Sequence, residues 1–316
     1  MKILNFDSIR ELNISPMQCV EWTKEILLNK YECILPHKIS LSIPELDNVF
    51  YNTMPSYIPL VNRFGVKVVS RYPKREPALL GEILLYDVLK GEILSFMDGV
   101  WITTMRTGAV AALSIEKLEK KAANNYAFIG LGNTARATLL CLQAIKKDRP
   151  IEVGLLAYKG QENLFIERFK EYNNITFSVF NNIEDLIANS DVVVSCVTAT
   201  NSIFAKDEAF NQGILVVPVH TKGFQNCDLF FDKVFADDVE HVRSFKYFEK
   251  FKQFDEFSNI LLNKNSGRTS EEERILAYNI GISLHDIYFA SKIYDILEKN
   301  HSTSEDIFTM HTKFWA

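Results

Sequence analysis

Gly130-Leu131-Gly132-Asn133-Thr134-Ala135 has the spacing G-x-G-x-x-A, between an apolar run ending at Ile129 and a helical pattern starting at Thr134. In a strand–turn–helix context the first glycine permits a tight turn and the second lets a pyrophosphate approach the backbone. The small Ala135 allows helix and strand to pack closely. Free N–H groups at the helix start, beside Asn133, Thr134 and Arg136, would then face the phosphates. The chemistry implied is dinucleotide binding; the plainer alternative is an ordinary turn in a doubly wound sheet. The next strand ends Leu156-Ala157-Tyr158-Lys159-Gly160-Gln161, with no acid at its tip to take a ribose 2′-hydroxyl. Lys159, with Tyr158 beside it, would instead meet a 2′-phosphate, which favours NADP over NAD; the alternative is a solvated loop lysine. The five cysteines form no CxxC pair and are widely spaced, which argues against a disulfide framework or a zinc site. Cys141, Cys196 and Cys227 sit in or beside apolar runs and are expected as reduced core thiols, and no metal site is expected.

The elements that must position this turn follow from the hydrophobic pattern. Ser15-Pro16-Met17-Gln18 opens a helix to about Asn29, with serine as cap, proline in the first turn and glutamine three residues on. Strand-like runs follow at Ile39–Ile43, Val66–Arg71, Glu82–Asp87 and Ile93–Met97, broken by glycine and proline, as in antiparallel sheet. Thr103 to Lys120 has an alanine-rich helical pattern containing Gly108. From Asn125 strands and helices alternate: Tyr126–Ile129, Thr134–Lys146, Glu152–Tyr158, Glu162–Tyr172, Thr176–Phe180, Glu184–Ala188, Asp191–Cys196 and Ile214–Val219. This alternation predicts βαβ units and a parallel sheet. Ser270 and the glutamates after it predict one long helix to about Lys299.

With 316 residues the chain is long enough for two domains, and 47% apolar with 24% charged residues is ordinary for a globular protein. A net charge of -5 implies no general affinity for nucleic acid or anionic membrane. The N-terminus shows no signal-peptide pattern and no stretch has the length of a membrane span, so a cytoplasmic protein is expected.

Several motifs, in order, resemble the ornithine cyclodeaminase/μ-crystallin family. They are Gly65–Arg71, Met97-Asp98-Gly99, Thr103–Ala109, Gly130–Arg136, Val197–Ser202, Gly267–Ser270 and Gly281–Asp286, and the match runs from about Leu35 to Ala290. The resemblance implies an α/β fold in which a Rossmann-type parallel-sheet domain (121–284) is inserted in an α+β substrate and dimerisation domain (1–120 with 285–316). It implies a homodimer that uses NAD(P) on a small amino or imino acid. Lys67 matches the family's active-site lysine, and Arg106 the arginine that grips the substrate carboxylate. Thr198, Ala199 and Thr200 match a cofactor-binding segment. The physics agrees: arginine offers a planar fork for a carboxylate, near a helix N-terminus where anions are favoured. A lysine near another cation in a partly dry pocket can exchange a proton with an imine or carbonyl. Strand alternation alone would also permit Lys67 to point to water.

Two positions depart from the cyclodeaminase pattern. An early substrate-binding arginine is replaced in Leu35–Ser40, where Lys38 could hold a carboxylate as a point charge only; His37 is expected as a turn residue. In Val219–Asp228, Lys222 aligns with the aspartate that handles the distal amine, so a cationic side chain would be repelled there. Asp228 is expected to be structural and Asp237-Asp238 to cap a helix or face solvent; Asp286, beside His285, is expected on a polar helix face, the alternative being that it faces the cofactor end of the cleft. The expected activity is therefore NAD(P)-dependent oxidation or reduction at the C–N bond of a 2-amino or 2-imino acid. The alternatives are a cyclodeaminase with internally recycled NAD, or a largely non-catalytic ligand-binding protein.

Overall fold

The computed structural model describes residues 1–197, 203–220 and 229–299. The chain begins with β1 (Lys2–Leu4), α1 (Phe6–Arg10) and α2 (Pro16–Leu28), continues through β2 (Ile39–Ser42), β3 (Phe50–Ile58), β4 (Arg63–Arg71), β5 (Leu79–Asp87) and β6 (Ile93–Asp98), and enters α3 (Val100–Leu118). Next come β7 (Asn125–Ile129), α4 (Asn133–Ile145), β8 (Ile151–Leu156), α5 (Gln161–Glu167), β9 (Ile175–Phe180), α6 (Ile183–Ala188), β10 (Val192–Ser195) and β11 (Leu215–Pro218). The last elements are β12 (Lys233–Ala236), α7 (Val239–Val242), β13 (Phe254–Glu256), α8 (Phe257–Leu261), β14 (Ile275–Tyr278) and α9 (Ser283–Lys299).

Two compact units result. One takes Met1–Ile14, Tyr31–Thr103 and the chain from Ser283; the other takes Ser15–Lys30 and Thr104–Ile282. The first unit is built on a six-stranded sheet of order β1-β6-β5-β4-β3-β2, antiparallel except where β1 joins β6. α9 packs on β3, β4 and β5. Gly65 lets it come close, because a Cβ there would lie 2.6 Å from Ile287 Cδ1. β3 is not among the strands expected from the sequence, and it contains Pro55. The register explains its tolerance: the β2 ladder ends at Thr53, so the missing N–H falls where no β2 partner exists. The Pro55 carbonyl meanwhile accepts the Ser283 hydroxyl at 2.8 Å, at the start of α9.

The second unit carries a parallel sheet of order β13-β12-β14-β11-β10-β7-β8-β9. Strands β10, β11, β12 and β14 are buried throughout, as expected for strands covered on both faces. α2 begins with the full capping box: the Ser15 hydroxyl accepts the Gln18 N–H and the Gln18 side chain accepts the Ser15 N–H. It packs against α4 and α8. Gly108 on α3 lies so near α4 that a Cβ would stand 2.4 Å from the Ala137 carbonyl carbon. The fold is thus α/β, with a Rossmann-type parallel sheet inserted within an α+β unit built from both ends of the chain. Among the described residues no helix is long and apolar enough to cross a membrane.

The long helix expected from Ser270 is corrected. Ile275–Tyr278 instead forms β14 between β11 and β12, and α9 starts only at Ser283. Four consecutive apolar residues satisfy both faces of a central strand. The glutamates that looked like a cap close a turn: Glu273 accepts the Thr269 N–H and hydroxyl and pairs with Lys233 at 2.9 Å. Burial pushes the Glu273 carboxyl up, but the Thr269 bonds and Lys233 outweigh it and hold it at about 2. Arg268 is equally structural, donating to the carbonyls of Leu118, Gly213, Ser270 and Glu273. Cys141 is a buried core thiol, as expected, and burial raises its pKa. Cys196 is half-buried, and Cys227 lies outside the described residues.

Candidate functional site

In the first unit the central strand β4 carries Lys67 between Met54 on β3 and Ile83 on β5. Its side chain is 1% exposed, so it does not point to water. The ammonium lies 2.6 Å from Asp286 Oδ2 and 3.5 Å from the Thr103 hydroxyl. Asp286 is fully buried, which corrects the expectation of a polar helix face. Ser283 through Ser291 are all buried, so α9 offers no solvated face at that level. Two opposite charges removed from water in this way carry a large desolvation cost, which structural packing does not require. Thr103 lies three residues before Arg106 on α3.

In the second unit Arg106 is also buried. Its guanidinium lies against Gly281, where φ is +98° and a Cβ would stand 2.0 Å from Nη1. The Gly281 N–H donates to the fully buried Asp237 carboxylate. Asp237 therefore neither caps a helix nor faces solvent; Asp238 does cap, accepting the Glu240 N–H at the start of α7. Lys30 bridges to Asp238 and Glu256, both at 2.9 Å, and donates to the Asp237 carbonyl. This fixes the loop that holds Gly281.

The glycine turn is built as the spacing requires. Gly130 has φ +82° and lies against Cys196 and Val197, where a Cβ would come within 2.9 Å of backbone. Gly132 caps α4, and a Cβ there would meet nothing within 4 Å. Asn133 and Arg136 are exposed, Thr134 is half-buried, and Ala135 is fully buried against the sheet. This open backbone at the end of a central parallel strand fits a pyrophosphate.

At the β8 end, Tyr158 and Lys159 are exposed, with the Lys159 ammonium 5.1 Å from the Tyr158 ring. The expectation of no acid here is corrected: the Glu162 carboxylate accepts the Tyr158 N–H at 3.0 Å. Glu162 lies four residues along the chain and is brought to the strand tip by the left-handed turn at Lys159 and Gly160. On the other side of β7, the Ser195 hydroxyl at the end of β10 is 2.6 Å from His220 Nε2, just beyond β11. Burial lowers the imidazole's pKa to about 4. Sequence reasoning passed over this pair because 25 residues separate its members, and only the parallel register of β10 with β11 brings them together. Lys38 is half-buried and His37 exposed, on the segment before β2. Lys222, Thr198, Ala199, Thr200 and Asp228 lie outside the described residues.

A dinucleotide-type parallel sheet and a buried lysine–aspartate pair define the kind of protein; the comparisons define the family. The ornithine cyclodeaminase/mu-crystallin family model matches residues 35–301, and the chain belongs to that family. It is 25% identical over 283 residues to nodulation efficiency protein NfeD of Rhizobium meliloti, covering 84% of each chain. It is 24% identical over 284 residues to a Delta(1)-pyrroline-2-carboxylate reductase of Bacillus cereus, covering 83% of this chain and 86% of the relative. Among solved structures, the Thermococcus litoralis Delta(1)-pyrroline-2-carboxylate reductase in complex with NADH and L-proline superposes with a TM-score of 0.86 at 23% identity. That match covers 96% of this chain and 100% of the other.

Proposed function

We propose that this chain is an NAD(P)-dependent oxidoreductase that reduces a small cyclic 2-imino acid, of the size of pyrroline-2-carboxylate, at its C–N double bond. The observation that carries this reading is the buried Lys67–Asp286 pair at 2.6 Å. It holds a proton donor, with a counter-charge, in the unit that the family assigns to substrate. The relatives that reduce pyrroline-2-carboxylate supply the substrate class.

Arg106 receives the substrate carboxylate through its planar fork, and Gly281 fixes the guanidinium. Lys67 Nζ gives a proton to the imine nitrogen, and Asp286 balances the ammonium beforehand. When bound, the nicotinamide supplies the reducing equivalent; the protein supplies position and field. Gly130, Gly132, Asn133, Thr134, Ala135 and Arg136 would hold the pyrophosphate, with Tyr158 and Lys159 at the adenosine end. Lys159 favours a 2′-phosphate and hence NADP, while Glu162 offers an acceptor for the 2′-hydroxyl of NAD. Side-by-side assays with NADH and NADPH decide between them.

The test is absorbance at the reduced-nicotinamide band, with cyclic imino acids as substrate and ammonia measured in parallel. Oxidation of the cofactor by an imino acid supports the proposal. Ammonia released from a diamino acid without net cofactor change assigns cyclodeaminase activity instead. Dinucleotide binding with neither signal assigns a binding protein. Replacing Gly132 with valine checks the turn separately. The space around its Cβ is open, so thermal stability should hold while dinucleotide affinity drops at least tenfold. Unchanged affinity would remove the glycine turn from the cofactor site.

The first unit also supports a homodimer. Gly65 and Lys67 face α9, so Val66 faces the other side, in register with Pro55, Leu84, Phe96 and Ile3 across four neighbouring strands. Ile3 is 60% and Phe96 38% exposed. A contiguous apolar row of this kind marks an interaction surface. The double change Ile3→Glu and Phe96→Glu should shift sedimentation equilibrium from dimer to monomer; a dimer that persists removes this face from the interface.

A further inference from the structure

We infer that His220, held by Ser195, is the residue that seats the nicotinamide riboside half of the dinucleotide; this rests on the dinucleotide reading proposed above. β8 and β9 lie on one side of β7, and β10 and β11 on the other. In a doubly wound sheet the dinucleotide crosses the carboxyl ends of the strands at this reversal, its pyrophosphate on the first turn and its two halves on opposite sides. The adenosine half belongs to the β8 tip, at Tyr158, Lys159 and Glu162. The other half must therefore lie over the carboxyl ends of β10 and β11.

His220 and Ser195 occupy those ends. Ser195 is in register with Ile129, the residue before the glycine turn, and with Pro218 on β11. The Val219 N–H donates to the Ser195 carbonyl, which extends the pairing up to His220. Cys196 and Val197, directly after Ser195, form the wall against which Gly130 packs. The pair thus stands one residue from the pyrophosphate turn, on the side away from the adenosine. The ring is held on two sides. Ser195 Oγ is 2.6 Å from Nε2, and Phe204 meets the imidazole edge-on, with centroids 5.9 Å apart.

The chemistry of the pair suits this half of the cofactor. The carboxamide and ribose hydroxyls need a fixed neutral hydrogen-bonding group. A cation at this place would oppose the positive charge of the oxidised nicotinamide ring. Burial keeps the imidazole uncharged at neutral pH, with its pKa at about 4. Ser195 acts through His220 by fixing its orientation and is a positioning residue.

The test compares two probes on the full chain: the reduced dinucleotide, followed by fluorescence, and ADP, followed by calorimetry. ADP carries the adenosine half and the diphosphate but no nicotinamide riboside. His220→Phe keeps the ring and its packing on Phe204 but removes both nitrogens. It should weaken the reduced dinucleotide about three- to tenfold, the size of a lost neutral hydrogen bond, and leave ADP affinity unchanged. His220→Gln, whose amide reaches the Nε2 position, should restore most of the loss. Ser195→Ala should give a smaller loss with the same selectivity, and it carries the test if His220→Phe does not fold. Equal weakening of both probes, or unchanged affinity for the reduced dinucleotide, overturns the inference. A wild-type chain that binds neither probe overturns the dinucleotide reading itself, which is a different result.

Discussion

Lys67→Met is expected to abolish most turnover, by about 10²- to 10⁴-fold, the range for losing a positioned general acid, while dinucleotide binding stays intact. Methionine keeps an unbranched apolar stem in the buried position and removes the terminal ammonium with its charge and protons. The same change leaves Asp286 as a buried carboxylate 2.6 Å from where its partner stood. Breaking one side of such a pair costs about 3–5 kcal/mol of stability, so Lys67→Met alone confounds chemistry with folding. Asp286→Asn breaks the pair from the other side. The double variant removes both charges together and should recover part of the lost stability, because no uncompensated charge stays buried. Its turnover should stay as low as that of Lys67→Met. Thermal unfolding, dinucleotide titration and steady-state rates on the three variants separate the two effects. Near-normal turnover in the double variant would show that the pair is structural and would remove Lys67 from the mechanism.

That separation matters because Lys67 and Asp286 were unequally legible in the sequence. Lys67 stands between Val66 and Val68, and strand alternation allowed either an inward or an outward lysine; only the family resemblance favoured the functional one. The structure turns it inward because Gly65, two residues earlier on the same face, lets α9 approach. The burial of Asp286 was not legible, because helical periodicity gives the direction of a side chain and not the depth at which its helix is packed. The glycine turn was legible in full, since its signal is local: a strand, two glycines, a small residue and a helix start within a dozen positions. β3 and β14 were not. The first contains Pro55, whose tolerance depends on where a neighbouring ladder stops. The glutamates at 271–273 imitated a helix cap and hid the second. The Ser195–His220 pair lies at the far end of the same scale, since nothing local to either residue announces the other.

Gly281→Ala should act on substrate binding more than on the chemical step. At φ +98° an alanine is strained by itself. Its Cβ would also stand 2.0 Å from Arg106 Nη1, 2.9 Å from Cζ and 3.0 Å from Nη2. The guanidinium is the far end of a flexible side chain, so it swings away more cheaply than the Gly281 turn moves. Asp237 already holds that turn through the Gly281 N–H, and Lys30 holds the Asp237 carbonyl. A displaced fork loses one or both of its bonds to a carboxylate. Each such charge-assisted bond is worth about 1.5–3 kcal/mol, so kcat/KM should fall about ten- to hundredfold, mostly through KM. Arg106→Lys should give a loss of similar size without the backbone strain, because an ammonium offers a point charge in place of the fork. The two variants would then agree in KM and differ in thermal stability, with Gly281→Ala the less stable. A Gly281→Ala enzyme that loses stability but keeps its KM would mean that the guanidinium holds its place without that glycine, and that the positive φ serves only the turn into α9.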